Sequence, residues 1–303
     1  MNHRPDTKSG LLPACILLGL LSLPGGLNAQ TLGESAGPQV LLLPVNARTA
    51  ALGDASIALI DAYSGVWTNP STLGFVKSSS LDYTAYRITA GATLQHVGLV
   101  ITTESAGGFA ARFEGLQGEG KELLAGIGYG RKITEVVSLG LNLDMLYAQS
   151  DSTPATAFVG DIGVLYSPGK YATYAVTLGG VGSDYDVRSP GVRPAVEDKR
   201  VPRVFAAGLA FDYPFSDPRR GILFSMQSEK LLTQRHILYQ MGVEYKMFPF
   251  FRMRAGLKIR GTESEPRLGL GLAFLRFSID YGYRYSRRDL GPSHLFTIAA
   301  SWQ

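Results

Sequence analysis

The chain has 303 residues, of which 29 are basic and 25 acidic, for a formal net charge of +4, and it holds 36 glycines, 15 tyrosines and one cysteine. So small a positive excess, with no clustered basic patch, excludes a nucleic-acid partner, and a lone cysteine excludes a disulfide or a thiolate metal site. Length does not choose between two soluble domains and one large closed sheet.

Residues 1–29 read as a secretory signal peptide. Arg4 and Lys8 open it, LLPACILLGLLSL gives thirteen uncharged residues, and Pro24-Gly25-Gly26 breaks the run before small Ala29, which places cleavage between Ala29 and Gln30. The apolar run is shorter than the roughly 18 to 20 residues of a membrane-spanning helix. In LPAC the apolar region follows Cys15, whereas a lipoprotein signal has it first. Cleavage removes Arg4, Lys8, Asp6 and Cys15 and lowers the net charge from +4 to +3.

Beyond the leader there is no run of eighteen apolar residues, so a membrane is crossed by strands or not at all. Residues 30–77 form an N-terminal plug or hatch segment, and 78–303 a sheet. The strands are expected near 78–88, 93–103, 107–115, 121–131, 135–149, 156–167, 172–181, 201–213, 220–230, 235–247, 250–260, 265–273, 275–285 and 293–302. In VSLGLNLDM (137–145), Val137, Leu139, Leu141, Leu143 and Met145 alternate with Ser138, Gly140, Asn142 and Asp144. ILYQMGVEYKM (237–247) follows the same rule, with Leu238 as its one lapse. FRMRAGLKIR (251–260) sets Arg252, Arg254, Lys258 and Arg260 against Phe251, Met253, Ala255, Leu257 and Ile259. LRFSIDYGYRY (275–285) alternates throughout. Side chains that alternate this way occupy two faces of a strand.

A soluble sandwich alternates too, but these segments run nine to eleven residues, the length of a tilted transmembrane strand. Connections that are alternately long and short add a second indication. QSDSTPA, GSDYDVRSPGVRPAVEDK, GTES and SRRDLGPS fall on one side; IT (133–134), FP (248–249) and the near-zero gap at Phe274 fall on the other. PFSDPRR (214–220) is long for the short side. The fold class that follows is all-β, a transmembrane antiparallel β-barrel of about 14 strands with a short N-terminal plug. The cations of 251–260 then face the lumen and pair with Glu244 and Asp280; a structural ion-pair lattice is favoured over an anion-selective pore lining.

Nothing supports catalysis. His96, His236 and His294 lie far apart with no local Ser or Asp pattern around them. GLQGEGKE (115–122) nearly fits a phosphate loop, yet Glu122 stands where Ser or Thr is required and a strand follows where a helix is needed, so it reads as a hairpin turn. LGLGLAF (268–274) fails the dinucleotide test for the same reason. No catalytic residue, cofactor or metal ligand is assigned.

In NARTAALGDASIALIDAYSGVWTNPSTLGF (46–75), Asn69 before Pro70 is held extended and builds a turn from the plug toward the first wall strand. This stretch resembles the opening of the PorV/PorQ family of outer-membrane proteins through Ala47-Arg48, Ala50-Ala51-Leu52-Gly53, Asp61-Ala62-Tyr63-Ser64, Trp67-Thr68-Asn69-Pro70 and Leu73-Gly74. More loosely it looks like the hatch of FadL-type fatty-acid transporters. GYRYSRRDLGPSHLFTIAASW is similar to the family's closing hairpin through Leu290, Gly291 and His294. Asp54, where a second Gly is usual, Ser71, where Ala is usual, and Trp302, one place before the end, depart from the pattern. The resemblance implies a non-enzymatic barrel of the outer membrane that serves type IX secretion, with outer-membrane lipid, secretion components and cargo carrying a C-terminal signal domain as partners. The loop bearing Asp184, Asp186, Arg188, Arg193, Glu197, Asp198, Lys199 and Arg200 is a candidate docking surface on length and mixed charge. FadL-like transport of hydrophobic small molecules and a purely structural barrel stay open beside it.

Overall fold

The structure is a computed structural model that describes residues 39–88, 91–103, 105–118, 120–150, 153–183, 186–187, 201–217, 219–232, 237–286 and 291–303. The proposed leader, His236 and Leu290 lie outside these residues. So does the candidate docking loop, apart from the backbone at Asp186 and Val187.

The wall strands are β1 (Ser79–Arg87), β2 (Thr93–Thr103), β3 (Gly107–Gln117), β4 (Lys121–Lys132), β5 (Val137–Ser150), β6 (Thr153–Tyr166) and β7 (Ala172–Gly182), followed by β9 (Val204–Pro214), β10 (Gly221–Leu231), β11 (Ile237–Phe248), β12 (Phe251–Arg260), β13 (Glu263–Phe274), β14 (Phe277–Ser286) and β15 (Gly291–Trp302). Between β7 and β9, the two-residue β8 (Asp186–Val187) pairs with the far end of β6. Each wall strand runs antiparallel to its neighbours, and β1 pairs with β15 from Ser79↔Trp302 to Arg87↔His294. The result is a closed barrel of fourteen wall strands. Closure pairs every edge, which a membrane demands because lipid offers no hydrogen bonds. Eleven residues at about 3.3 Å each, tilted by about 45°, span roughly 25 Å, the height of a barrel's apolar band.

The outward side chains decide between barrel and soluble sheet. Ile127, Phe158 and Leu268 are 64%, 63% and 57% exposed, in a contiguous apolar belt that water would penalise and lipid accepts. Leu238, the apolar lapse on the inward side of β11, is buried within the lumen. The β9–β10 turn is a true six-residue connection closed by Phe215 N donating to Arg220 O at 2.9 Å, so the length of PFSDPRR reflects a real loop and no misplaced strand end. Residues 201–203 precede β9 without strand pairing, which shortens that strand from the expected start.

Residues 39–78 fill the lumen. Helix α1 (Ala47–Ala51) starts at Asn46, whose Oδ1 accepts from Thr49 N at 2.8 Å, a cap that satisfies one of the helix's free N–H groups. Tight 3-10 turns follow at Gly65–Trp67 and Pro70–Gly74. Helix and wall approach to backbone contact at Gly256, where an added Cβ would lie 2.2 Å from Gly53 N. Gly53 itself takes φ +69, a conformation open to glycine at little cost.

Candidate functional site: the plugged lumen and its wall

The plug is clamped to β11–β14 by a buried chain of charges. Arg48 Nε and Nη2 donate to the two Glu244 oxygens at 2.8 and 3.1 Å, and its Nη1 meets Asp61. Glu244 also accepts from Arg254 Nε at 2.6 Å; Arg254 Nη1 donates to Asp280 at 2.6 Å, and Tyr63 OH donates to the same carboxylate at 3.2 Å. The chain therefore starts and ends on the plug. Burial works against the Arg48 charge, but Glu244 and Asp61 outweigh it and hold the guanidinium's pKa well above its usual value. For Tyr63, burial and then Asp280 push the phenol up.

A second clamp centres on Asp54, which adopts φ +69, so the position where the resembling family usually has a second Gly keeps a glycine-like backbone. Lys258 Nζ donates to Asp54 Oδ2 at 2.9 Å and Arg267 Nη2 lies 3.5 Å away. Burial opposes the Asp54 charge, yet Arg267 and Lys258 more than offset it and hold its carboxyl down at about 2.

On the opposite wall the plug's Asn69-Pro70 turn is fixed from within. Asn69 Nδ2 donates to Ile57 O at 2.7 Å, and its Oδ1 accepts from Ser71 N and Oγ at 3.1 and 2.6 Å. Asn69 therefore orders the backbone of the plug. Beside it, Arg112 of β3 donates to both Asp144 oxygens at 3.0 and 2.7 Å and to Trp67 O at 3.2 Å. Glu114 and Asp161 lie 3.5 and 3.9 Å from the same guanidinium. His96 stands 3.1 Å from Asp82 and 3.5 Å from Glu114 without hydrogen-bond alignment, with the Trp67 ring edge-on to it at a 5.2 Å centroid distance. The sequence offered no sign of this group: Glu114 sits across the β2–β3 register from His96, and Asp82 lies on the other side on β1.

Two cavities meet here. The first, about 160 Å³ within the lumen, is bounded by plug residues Val40–Val45 and by Arg112, Asp161, Gly179, Gly180, Gln227 and Lys258. The second, about 700 Å³, is a depression on the lipid side of β4–β7 lined by Ile127, Leu141, Leu143, Met145, Phe158, Ile162 and Val181, with Arg112 and Asp144 behind them. Arg112 lines both. Between them the β6–β7 ladder breaks: Gly160↔Val181 is followed by Ile162↔Leu178, which leaves Asp161 opposite two glycines. Gly180 takes φ +70 and donates its N–H to Asp161 Oδ1 at 2.9 Å. The inward carboxylate thus replaces a missing ladder bond, the signature of a β-bulge. Glycines in a strand do appear in the sequence, but no signal there names the partner of the bulge.

Of the other singled-out residues, Arg252 lies half-buried beside the clamp and Arg260 is exposed at the long-loop end of β12. Ala47 N donates to Thr297 Oγ1 at 2.9 Å, and Pro70 opens a 3-10 turn. Lys258 and Arg254 bind separate partners, so the cationic stripe forms two clamps and leaves no continuous basic lining.

The sequence matches no protein-family model and no curated protein. Among solved structures, the fold is similar to the Ralstonia pickettii toluene transporter TbuX at 12% identity and a TM-score of 0.63, covering 86% of this chain and 98% of that one. The Pseudomonas putida toluene transporter TodX gives 11% identity and a TM-score of 0.61 over 90% and 99%. A Pseudomonas aeruginosa FadL homologue gives 13% and 0.53 over 85% and 98%. These likenesses concern the fold alone: a closed antiparallel β-barrel similar to that of these transporters.

Proposed function

We propose that this barrel conducts small hydrophobic molecules from the long-loop end of the lumen into the bilayer through the wall between β6 and β7. The observation that carries the reading is the junction at Arg112, where a lumen cavity and a lipid-side depression share one residue across a broken ladder. The lumen cavity is of the order that takes one ring of an aromatic solute at a time. The depression beyond it is apolar, so a hydrophobic solute moves to a better solvent on leaving. The similar structures described as toluene transporters support the same class of cargo. The charged stripe on β12 does not oppose it, because Arg254 is engaged outside the cavity lining and Lys258, which borders the cavity, is paired with Asp54. In this reading the chain is exported to the outer membrane by residues 1–29.

The test is uptake of N-phenylnaphthylamine by cells whose intact lipopolysaccharide leaflet excludes it. Expression of the barrel is expected to speed the fluorescence rise; an unchanged rate with the barrel folded in the membrane would sink the proposal.

A second reading, service in type IX secretion, rests on the 46–75 stretch that resembles the PorV/PorQ opening. Its partners would be secretion components and cargo with a C-terminal signal domain, met through loops including 183–200. Affinity purification from the native outer membrane with mass spectrometry tests it. Recovery of such cargo favours this reading, and recovery of the barrel with lipid alone favours transport.

A further inference from the structure

The short-turn end of the barrel carries an unusual combination of residues. Turn tips facing water are normally Gly, Asn, Asp or Ser. Here the β13–β14 turn is Leu275-Arg276, with Leu275 at φ +54 and 90% exposed. Glycine would fill that position without strain; a leucine there strains the backbone and gains no cover from its own chain. Ile133 in the β4–β5 turn and Phe250 in the β11–β12 turn are 61% and 55% exposed. Cations accompany these tips. Arg131 precedes Ile133, Lys170 stands beside Tyr171 in the β6–β7 turn, Arg220 closes the β9–β10 turn, and Arg276 follows Leu275. Among the described residues, Arg131, Lys170 and Arg276 are held in no ion pair, and Arg220 lies in the field of Asp217, whose direct partner is Arg219. The five turns are successive around the barrel.

We propose that this rim binds the headgroups of anionic phospholipids in the inner leaflet, which rests on the barrel spanning an outer membrane and not on what it transports. Charge and apolar surface together select the occupant. A soluble acidic partner would satisfy the cations and leave the tips of Ile133, Phe250 and Leu275 to find separate pockets. A phospholipid leaflet takes the tips at the acyl boundary and presents phosphate at the level of the adjacent cations. Aromatic side chains at the same end, such as Phe248 stacked on Phe250 at 5.6 Å, fit that interfacial depth.

The full-length barrel is reconstituted in bilayers of phosphatidylethanolamine with phosphatidylglycerol as the minor lipid, released in mild detergent, and its retained lipid read by native mass spectrometry. Phosphatidylglycerol is expected to be enriched about fivefold over the bulk mixture, the scale of one cation at an anionic surface. The Arg131→Ser/Arg220→Ser/Arg276→Ser variant is expected to return to the bulk ratio, and lysine at the same three positions to keep the enrichment. Heat-modifiable migration on gels reports folding for each. Bulk-ratio lipid on the unmodified barrel, or enrichment that survives the serine variant, overturns the proposal; so does capture of an acidic protein at the rim without lipid enrichment. If N-phenylnaphthylamine uptake persists while enrichment is absent, the rim proposal fails and the transport reading stands.

Discussion

The two sides of the lumen hold the plug in different ways. Against β11–β14, α1 lies at backbone distance on glycines, and ion pairs tie it to the wall: Arg48 with Glu244 and Asp61, Arg254 with Glu244 and Asp280, Lys258 with Asp54, although Arg254 Nη2 and Arg267 Nε and Nη1 keep no hydrogen-bond partner. Against β3–β7, one guanidinium serves three carboxylates, a histidine group lacks hydrogen-bond alignment, a ladder is broken, and cavities lie on both sides of the wall. Close packing resists displacement because a shift of tenths of an ångström already costs contacts. Voids beside a bulge remove that resistance. The clamped side therefore fixes the plug, and under the proposed function the loose side is where solute would pass without the plug leaving.

Removing Glu244 should produce the largest effect, because Glu244→Ala takes from Arg48 and Arg254 the buried carboxylate they share and leaves each with one partner, Asp61 and Asp280. Breaking a buried pair in this way costs about 3–5 kcal/mol, read as a lower unfolding midpoint for the heat-modifiable band. Arg112→Ala is the counterpart on the loose side. It frees Asp144, Glu114 and Asp161, but the neighbouring cavity admits water, so the loss is expected to be about 1.5–3 kcal/mol, the range for a hydrogen bond to a charged group. Equal losses for the two variants would erase the distinction between the sides.

Acid probes the clamped side alone. Asp54 sits at about 2 in the folded barrel against its ordinary 3.8, so its contribution is fully present above about pH 4 and is lost as pH falls through about 2. The difference amounts to about 2 kcal/mol. Comparison with Asp54→Asn should show a stability gap that closes over this window; a gap constant down to pH 2 removes Asp54 from the clamp.

Strand alternation made the wall legible, because a face buried against lipid and a face buried against the plug impose period two on every strand. The stripe of FRMRAGLKIR declared its inward side for the same reason, and Asn69-Pro70 declared a turn because its chemistry is local. What stayed hidden depends on register. His96 finds Asp82 and Glu114, and Arg112 finds Asp144, only when particular residues stand opposite one another across two or three ladders. A single residue of slip would turn each of them to lipid. The bulge at Asp161 was hidden too, since DIG and LGGVG read as ordinary strand until β6 and β7 are aligned. The PorV/PorQ resemblance rested on the plug segment and the closing hairpin, whereas the junction that suggests transport lies in strands the resemblance reached only through their rhythm.

The smallest change in stability should accompany the most informative change in transport. Gly160 points outward into the lipid-side depression, and an added Cβ there would meet nothing closer than Asn142 O at 3.2 Å and Leu143 Cδ2 at 3.5 Å. Gly160→Leu therefore fills the depression from its floor, leaves the bulge backbone and the Arg112–Asp144 pair in place, and is expected to shift the unfolding midpoint by less than about 1 kcal/mol. Solute leaving through the wall must cross that volume, so N-phenylnaphthylamine uptake should fall about tenfold, equivalent to about 1.4 kcal/mol on the barrier. Leucine introduced at Gly115, on the β3 wall and in the lining of neither cavity, meets nothing closer than Leu123 Cδ2 at 3.5 Å; it should leave both stability and uptake per folded barrel unchanged. Uptake preserved in Gly160→Leu would mean that the depression is a lipid-filled groove with no traffic through it, and the loose side would then need another reason for its voids.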